Sequence, residues 1–200
     1  MTRHITKVLA AISGVLVFAS ATAAAPVHDT LDREAKAIEA RMIAWRRDIH
    51  QNPELGNREF RTAGLVAAHL KKLGYEVREK VATTGVVATL KGGKPGPVIA
   101  LRADMDALPV TEEVVLPFAS KAKTMWRGRE TGVMHACGHD THMTAWVGVA
   151  RRMAANKANW SGTLVMIGQP AEERGAGAVA MLKDGLFTRF PKPDYALAFH

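Results

Sequence analysis

The sequence predicts an α/β fold, a mostly parallel or mixed sheet flanked by helices. Three observations carry that expectation. The apolar period switches repeatedly between three-to-four and two along the chain. Val98–Leu101, Thr163–Ile167 and Tyr195–Phe199 are short continuous apolar runs, the pattern of strands covered on both faces. Each run is followed at once by polar, chemistry-bearing residues, as where an open α/β sheet presents a site at its carboxyl edge.

Residues 1–25 are expected to lie outside the fold. Arg3 and Lys7 accompany an apolar run, Val8–Phe18, and small residues then offer cleavage sites ending at Ala23 or Ala25. Charge, apolar run and small residues, in that order, form a secretory signal peptide, so the mature chain, 26–200, is expected in a periplasm or outside the cell. The apolar part is too short to span a bilayer comfortably.

In the mature chain, Leu31, Ala35, Ile38, Met42, Trp45 and Ile49 form one stripe of an amphipathic helix. Asp29 or Thr30 would cap it, and Asn52-Pro53 would stop it. A second helix, about Glu59–Leu73, turns Ala63, Val66, Leu70 and Leu73 inward and ends at Gly74. Tyr75–Val81 and Val86–Leu90 read as strands around a turn at Thr83–Gly85, and Lys91–Gly96 as a surface turn. The Val98–Leu101 strand delivers Arg102, Asp104 and Asp106. Residues 112–132 read as irregular and exposed.

Asp140 or Thr141 would cap a helix over about His142–Asn156, with Ala145, Val149 and Met153 inward. The Thr163–Ile167 strand leads to Gln169–Glu173. Gly175 and Gly177 open a short helix, Ala178–Lys183, stopped by Gly185. The last strand delivers His200.

A composition of 48% hydrophobic and 23% charged residues, without repeats or low-complexity tracts, is that of one globular domain. The single cysteine excludes an internal disulfide and leaves Cys137 to metal binding, redox chemistry or packing. An exported free thiol is open to oxidation, which favours a bound metal. The net charge of +8 comes from scattered basic residues, densest at Lys121, Lys123, Arg127 and Arg129 around Trp126. That cluster could attract an acidic substrate or a membrane surface, and a solvated loop is the simpler reading. Nothing resembles a nucleic-acid module, so neither a nucleic-acid partner nor a membrane partner after signal cleavage is expected.

Chemistry concentrates in Met134–His142, which packs His135, Cys137, His139, Asp140 and His142 into nine residues. His135, Cys137 and His139 alternate, so an extended segment would point all three one way. A thiolate and an imidazole two residues apart, with Gly138 between them to let the backbone bend, can bind one metal ion or bridge two. Taken alone, the stretch is better read as a buried cysteine beside hydrogen-bonded histidines, because short motifs match by chance often. Downstream, adjacent Glu172 and Glu173 point to different sides, so one can ligate a metal while the other faces water. With Cys137, His139 and His200 available beside them, a metal site becomes the better account.

Five ordered stretches then resemble one family: Arg47–Leu55, Ala100–Pro109, Met134–His142, Gln169–Glu173 and Ala198–His200. The chain is similar to the metal-dependent amidohydrolases and peptidases that include hippurate hydrolase, N-acyl-amino-acid amidohydrolases and indole-acetyl-amino-acid hydrolases. The resemblance implies a zinc-exopeptidase-like catalytic domain, with 26–200 as its N-terminal part, truncated before a lid and dimerisation domain. It implies that Cys137, His139, Glu173 and His200 are ligands of two divalent ions, manganese, zinc, cobalt or nickel. Glu172 would be the general base and Asp106 would orient a ligand, with Asp104 and His142 near the site. The implied substrate is a small N-acyl amino acid or peptide, and full-length members are expected to be homodimers. Alternatives on the same scaffold are a carboxypeptidase or aminopeptidase, or a non-catalytic metal-binding fragment.

Overall fold

The computed structural model describes residues 27–200; the expected signal peptide lies outside the described residues. The elements follow in chain order. Helices α1 (Val27–Gln51) and α2 (Phe60–Lys72) precede strands β1 (Glu76–Val81), β2 (Gly85–Lys91) and β3 (Lys94–Asp104). A small hairpin, β4 (Lys123–Trp126) and β5 (Arg129–Gly132), leads to helix α3 (His139–Ala155). Strand β6 (Ser161–Gln169), helix α4 (Gly177–Lys183) and strand β7 (Tyr195–Ala198) complete the described chain. The main sheet has the order β1-β2-β6-β3-β7. Strands β1, β2 and β6 pair antiparallel, whereas β3 runs parallel to both β6 and β7, so the sheet is mixed.

Alternation along β2 and β6 splits the core in two. Val86, Ala88, Leu90, Leu164 and Met166 face α2 and α3 through Val66, Leu70, Met143, Trp146 and Ala150. Val87, Val165 and Ile167 face the other way, onto Met181 of α4 and Leu186. Each large side chain so enclosed contributes roughly 1.5–3 kcal/mol relative to exposure. These two layers fix the central strands, and therefore the direction in which their carboxyl ends point. At that edge Asp104 lies opposite Gln169, and Arg102 opposite Ala198.

The structure differs from the sequence reading in several places. Helix α1 spans Val27–Gln51, so Asp29 and Thr30 lie within its first turn, where Thr30 accepts a hydrogen bond from Arg33. The Lys91–Gly96 turn is shorter than expected, because Lys94 already pairs with Ser161 in β3. Residues 112–132 are not wholly irregular, since β4 and β5 pair antiparallel. In α3 the inward face is Met143, Trp146, Val147 and Ala150; Val149 is exposed and Ala145 half-buried. The helix starts three residues earlier than expected, and its buried face is the one packed on the β2 and β6 layer.

Strand β7 is an edge strand, exposed along its length, not a core strand. Among the described residues it pairs only with β3, and next to it Val98, Ile99 and Leu101 are half-buried rather than enclosed on both faces. Among the described residues no helix is long and apolar enough to cross a membrane.

Gly177 stands where α4 starts beneath the turn after β6, and a Cβ there would overlap the carbonyl oxygen of Pro170. Gly177→Ala is expected to cost about 3 kcal/mol or more, lowering the thermal midpoint by roughly 6–12 °C. Gly64, inside α2 with nothing within 4 Å of an added Cβ, makes the control. Gly64→Ala should raise the midpoint, by an amount reflecting about 0.5–1 kcal/mol. Differential scanning calorimetry of both variants checks the pair, and equal effects would contradict the packing described.

Candidate metal centre

Four segments converge at the carboxyl edge of β3, β6 and β7. The first is the end of β3, with Asp104 and Asp106. The second is the start of α3, with Cys137, His139 and His142. The third is the turn after β6, with Glu172 and Glu173, and the fourth the end of β7, with His200. Ligand atoms of Cys137, His139 and His200 all lie within 4.8 Å of one another, and so do those of Asp104, His139, Glu172 and His200. His139 and His200 belong to both groups.

His139 is the hub. It is fully buried, and its Nδ1–H donates to the backbone oxygen of Asp106 at 2.8 Å. That bond assigns the lone pair to Nε2, which points into the cluster and has no hydrogen-bond partner. Nε2 lies 3.5 Å from Asp104 Oδ2, 3.6 Å from Glu172 Oε2 and 3.8 Å from Glu173 Oε1. Glu173 Oε1 is likewise buried without a partner. Two orphaned, buried donor atoms facing each other across a few ångströms fit a cation, since unpartnered polar atoms in the interior are costly. A thiol, imidazoles and carboxylates together suit zinc, manganese, cobalt or nickel.

The acidic turn is held by two buried carboxylates. Asp106, 1% exposed, accepts the backbone N–H of Glu172 at 2.9 Å on Oδ1 and that of Glu173 at 3.2 Å on Oδ2. Glu59, fully buried at the N-cap of α2, accepts the N–H of Ala171 at 2.8 Å and the hydroxyl of Thr84. Ala171 itself sits in the left-handed region at φ 47°, an unfavourable conformation for a residue with a Cβ. Burial raises the Glu59 pKa, and the bonds from Thr84 and Ala171 only partly offset it. Glu59 was missed in the sequence because an acid at a helix start reads as a cap, whereas this one reaches across 112 positions.

Asp104 is also fully buried, taking His142 Nδ1–H at 2.8 Å and the Arg102 guanidinium at 2.7 Å. Arg102 in turn donates Nε–H to Gln169 at 2.9 Å, locking β3 to β6 at the site. Gly138 adopts φ 84°, a left-handed bend that glycine tolerates best, and it turns the chain into α3. The Met134–Gly138 segment is therefore not extended, and His135 separates from its neighbours. His135 is buried with neither ring nitrogen bonded, and burial pushes its pKa down to about 4. It lies outside both donor groups.

Asp140 does not cap α3, contrary to expectation. Its carboxylate accepts Arg46 at 2.7 Å and His50 at 2.8 Å, and His50 also meets Glu112 at 3.0 Å. This buried network ties α1 to the helix that carries His139. Electrostatically the centre is crowded with negative charge. Burial, followed by Glu173 and Glu172, raises the Cys137 thiol. Burial, with Asp106 and Glu172 adding to it, raises Glu173 against the opposing effect of His139. Burial alone would lower His139, but Asp106 and Asp104 outweigh it and raise it.

Residues 100–200 match the model of peptidase family M20/M25/M40. The chain is 46% identical over 175 residues to thermostable carboxypeptidase 2 of Saccharolobus solfataricus, covering 86% of this chain and 42% of that protein. It is 48% identical over 155 residues to the hippurate hydrolase of Campylobacter jejuni, covering 78% of this chain and 38% of that one. It therefore spans about two fifths of the length of these curated relatives. A Bacillus subtilis crystal structure, described as a dinuclear metal-binding peptidase, superposes with a TM-score of 0.73 at 40% identity, over 82% of this chain and 43% of that one.

Asp106→Asn keeps one acceptor oxygen but turns an amide donor toward a backbone N–H of the Glu172-Glu173 turn. Loss of such a supporting partner typically costs about 10–100-fold in metal affinity. Titration with zinc or manganese against a chromophoric chelator should show a loss of that size. Unchanged affinity would mean that the turn is held without Asp106.

Proposed function

Because the chain belongs to peptidase family M20/M25/M40, we propose that it carries the metal-binding part of a hydrolase acting on the amide bond of N-acyl amino acids. The observation that carries the reading is the convergence of donors on the unpartnered Nε2 of His139. The hippurate hydrolase relative, at 48% identity, supports the substrate class. The carboxypeptidase relative, at 46%, supports small peptides as the second reading.

Cys137, His139, Glu173 and His200 would hold two divalent ions, with manganese, zinc, cobalt and nickel all suited to the donor set. Such ions, when bound, supply Lewis acidity toward water and toward the scissile carbonyl. The proton work falls to this chain's own residues. Glu172 is half-buried beside the cluster, its backbone N–H held by Asp106. Its carboxylate takes the proton of the attacking water and returns it to the leaving amine, so one group serves as base and then as acid. Asp106 orients His139 through its carbonyl and Glu172 and Glu173 through its carboxylate. Asp104 and His142 hold each other beside His139, which keeps the imidazoles of the cluster from turning away. Export of the mature chain, supported by the order of residues in 1–25, and pairing into homodimers as the family resemblance implies, complete the proposal.

Glu172→Gln is expected to retain both ions and lose about 10²–10⁴ in turnover of hippurate and other N-acyl amino acids. Cys137→Ser should instead lower metal content after dialysis, since a hydroxyl is a much poorer ligand than a thiolate. An unchanged rate in the first variant, or unchanged metal content in the second, would refute that residue's role. Dipeptides assayed alongside decide between the two substrate readings.

A further inference from the structure

The β4–β5 hairpin carries groups that the metal centre leaves unused. Trp126 pairs with Arg129, so Arg127 and Gly128 form a two-residue turn, with φ of 49° and 80°. Positive φ at both positions is the signature of a type I′ turn, where Asn-Gly is favoured and an arginine carries a steric cost. The conformation sets Arg127 beside its own neighbour, with its guanidinium carbon 5.6 Å from the Trp126 ring centroid. Arg174, directly after Glu173, places its guanidinium 5.3 Å from the same centroid.

The indole is anchored. Trp126 packs on the buried cluster of Leu55, Ala107 and Val133. Arg58 tethers the hairpin by donating to Thr124 Oγ1 and to the Met125 carbonyl, at 3.3 Å each. Nearby Lys123 has its own partner, Glu130, at 3.2 Å. Arg127 and Arg174, by contrast, have only the indole as a partner among the described residues. Stacking on an aromatic face leaves the edge donors of a guanidinium free for bidentate bonds.

Trp126, Arg127 and Arg174 wall a cavity of about 510 Å³ that Asp106 and Glu173 also line, so it opens onto the metal centre. Its remaining lining includes Leu55, Leu108 and Pro109. A cavity of this size suits a small organic group. Its carboxylates, Asp106 and Glu173, belong to the metal centre, and its guanidiniums, Arg127 and Arg174, lie over Trp126. We infer that it selects substrates carrying a second carboxylate, one remote from the scissile amide. Arg127 and Arg174 hold that carboxylate through charge-assisted bonds, while its methylene or aromatic body lies against Trp126 and the apolar lining. The inference builds on the amidohydrolase reading for the reaction, but carboxylate binding does not depend on turnover.

The carboxylate can come from the acyl group or from the amino-acid side chain, and two substrate pairs separate these sources. N-succinyl- against N-butyryl-phenylalanine tests the acyl side, and N-acetylglutamate against N-acetylglutamine the other. In the metal-loaded protein one pair should show a kcat/KM preference of tenfold or more for the dianion. That ratio should fall at least tenfold in Arg127→Gln and in Arg174→Gln, with partial recovery in Arg127→Lys. A ratio near one in both pairs, or a ratio that neither variant changes, overturns the inference.

Glutarate binding by calorimetry is the arm independent of turnover, and it alone decides if no substrate is hydrolysed. Weakening of fivefold or more in both glutamine variants supports the pocket; equal affinity in wild type and variants overturns it. Arginine-dependent glutarate binding in a protein that hydrolyses none of the panel would remove the hydrolase reading and leave the pocket standing.

Discussion

The centre depends on one buried carboxylate. Asp106 takes two backbone N–H groups from the acidic turn, and its own carbonyl takes the imidazole of His139. A single residue thus sets the relative positions of the end of β3, the start of α3 and the turn after β6. Hydrogen bonds to a charged group contribute roughly 1.5–3 kcal/mol each, so the pair outweighs the unfavourable φ of Ala171, which costs about 1–3 kcal/mol. Glu59 adds a third bond to the same turn from α2. The turn is held from both sides, which lets two adjacent glutamates differ in role without either supporting the backbone.

The direction of the strands makes this clamp workable. Because β3 runs parallel to β6 and β7, the carboxyl ends of all three strands lie at the same edge. Antiparallel β2, on the far side of β6, continues the sheet toward β1 with apolar residues and supplies no member of either donor group. Arg102, bonded to Asp104 and Gln169 at once, ties the two inner strands together at the level of the site. The buried network of Arg46, His50, Asp140 and Glu112 performs a comparable task for α3. Removing one member of such a network leaves an uncompensated buried charge, a loss of about 3–5 kcal/mol, so its value lies in placement.

Much of this was legible in the sequence, and the parts that were not share a cause. The α/β class, the inner strand at Thr163–Ile167 and the inward stripe of α2 followed from local periodicity, which the sheet and helix layers preserve. Residue type pointed to Cys137, His139, Glu172, Glu173 and His200; the fold groups Cys137 with His139 and His200, and Glu172 with the same two histidines and Asp104, while Glu173 lies outside both groups. The hairpin was not legible, because β4 and β5 are four residues each, mostly polar and held by partners distant in sequence. Asp140 and Glu59 look like helix caps to any local rule, yet each spends its carboxylate on a partner brought near only by folding. Tyr195–Phe199 shows the converse: its apolar run promised a core strand, but burial depends on what packs against it, and β7 has a neighbour on one edge alone.

Charge balance connects these placements to metal binding. Asp104 is compensated by Arg102 and His142, and Asp106 by backbone donors. Glu172 and Glu173 face the imidazoles of His200 and His139 rather than a guanidinium, and the charge of Glu172 adds to burial in raising both Glu173 and the Cys137 thiol. A divalent ion supplies the missing counter-charge at the place where His139 Nε2 and Glu173 Oε1 lack partners. Arg174, adjacent in sequence to Glu173, could have neutralised it but lies over Trp126 instead. The arrangement keeps the negative charge of the cluster for cations and the positive charge of the hairpin for anions, and the two meet in one cavity. Folding and ion binding are then thermodynamically linked, because the folded chain gathers carboxylates that the unfolded chain keeps apart.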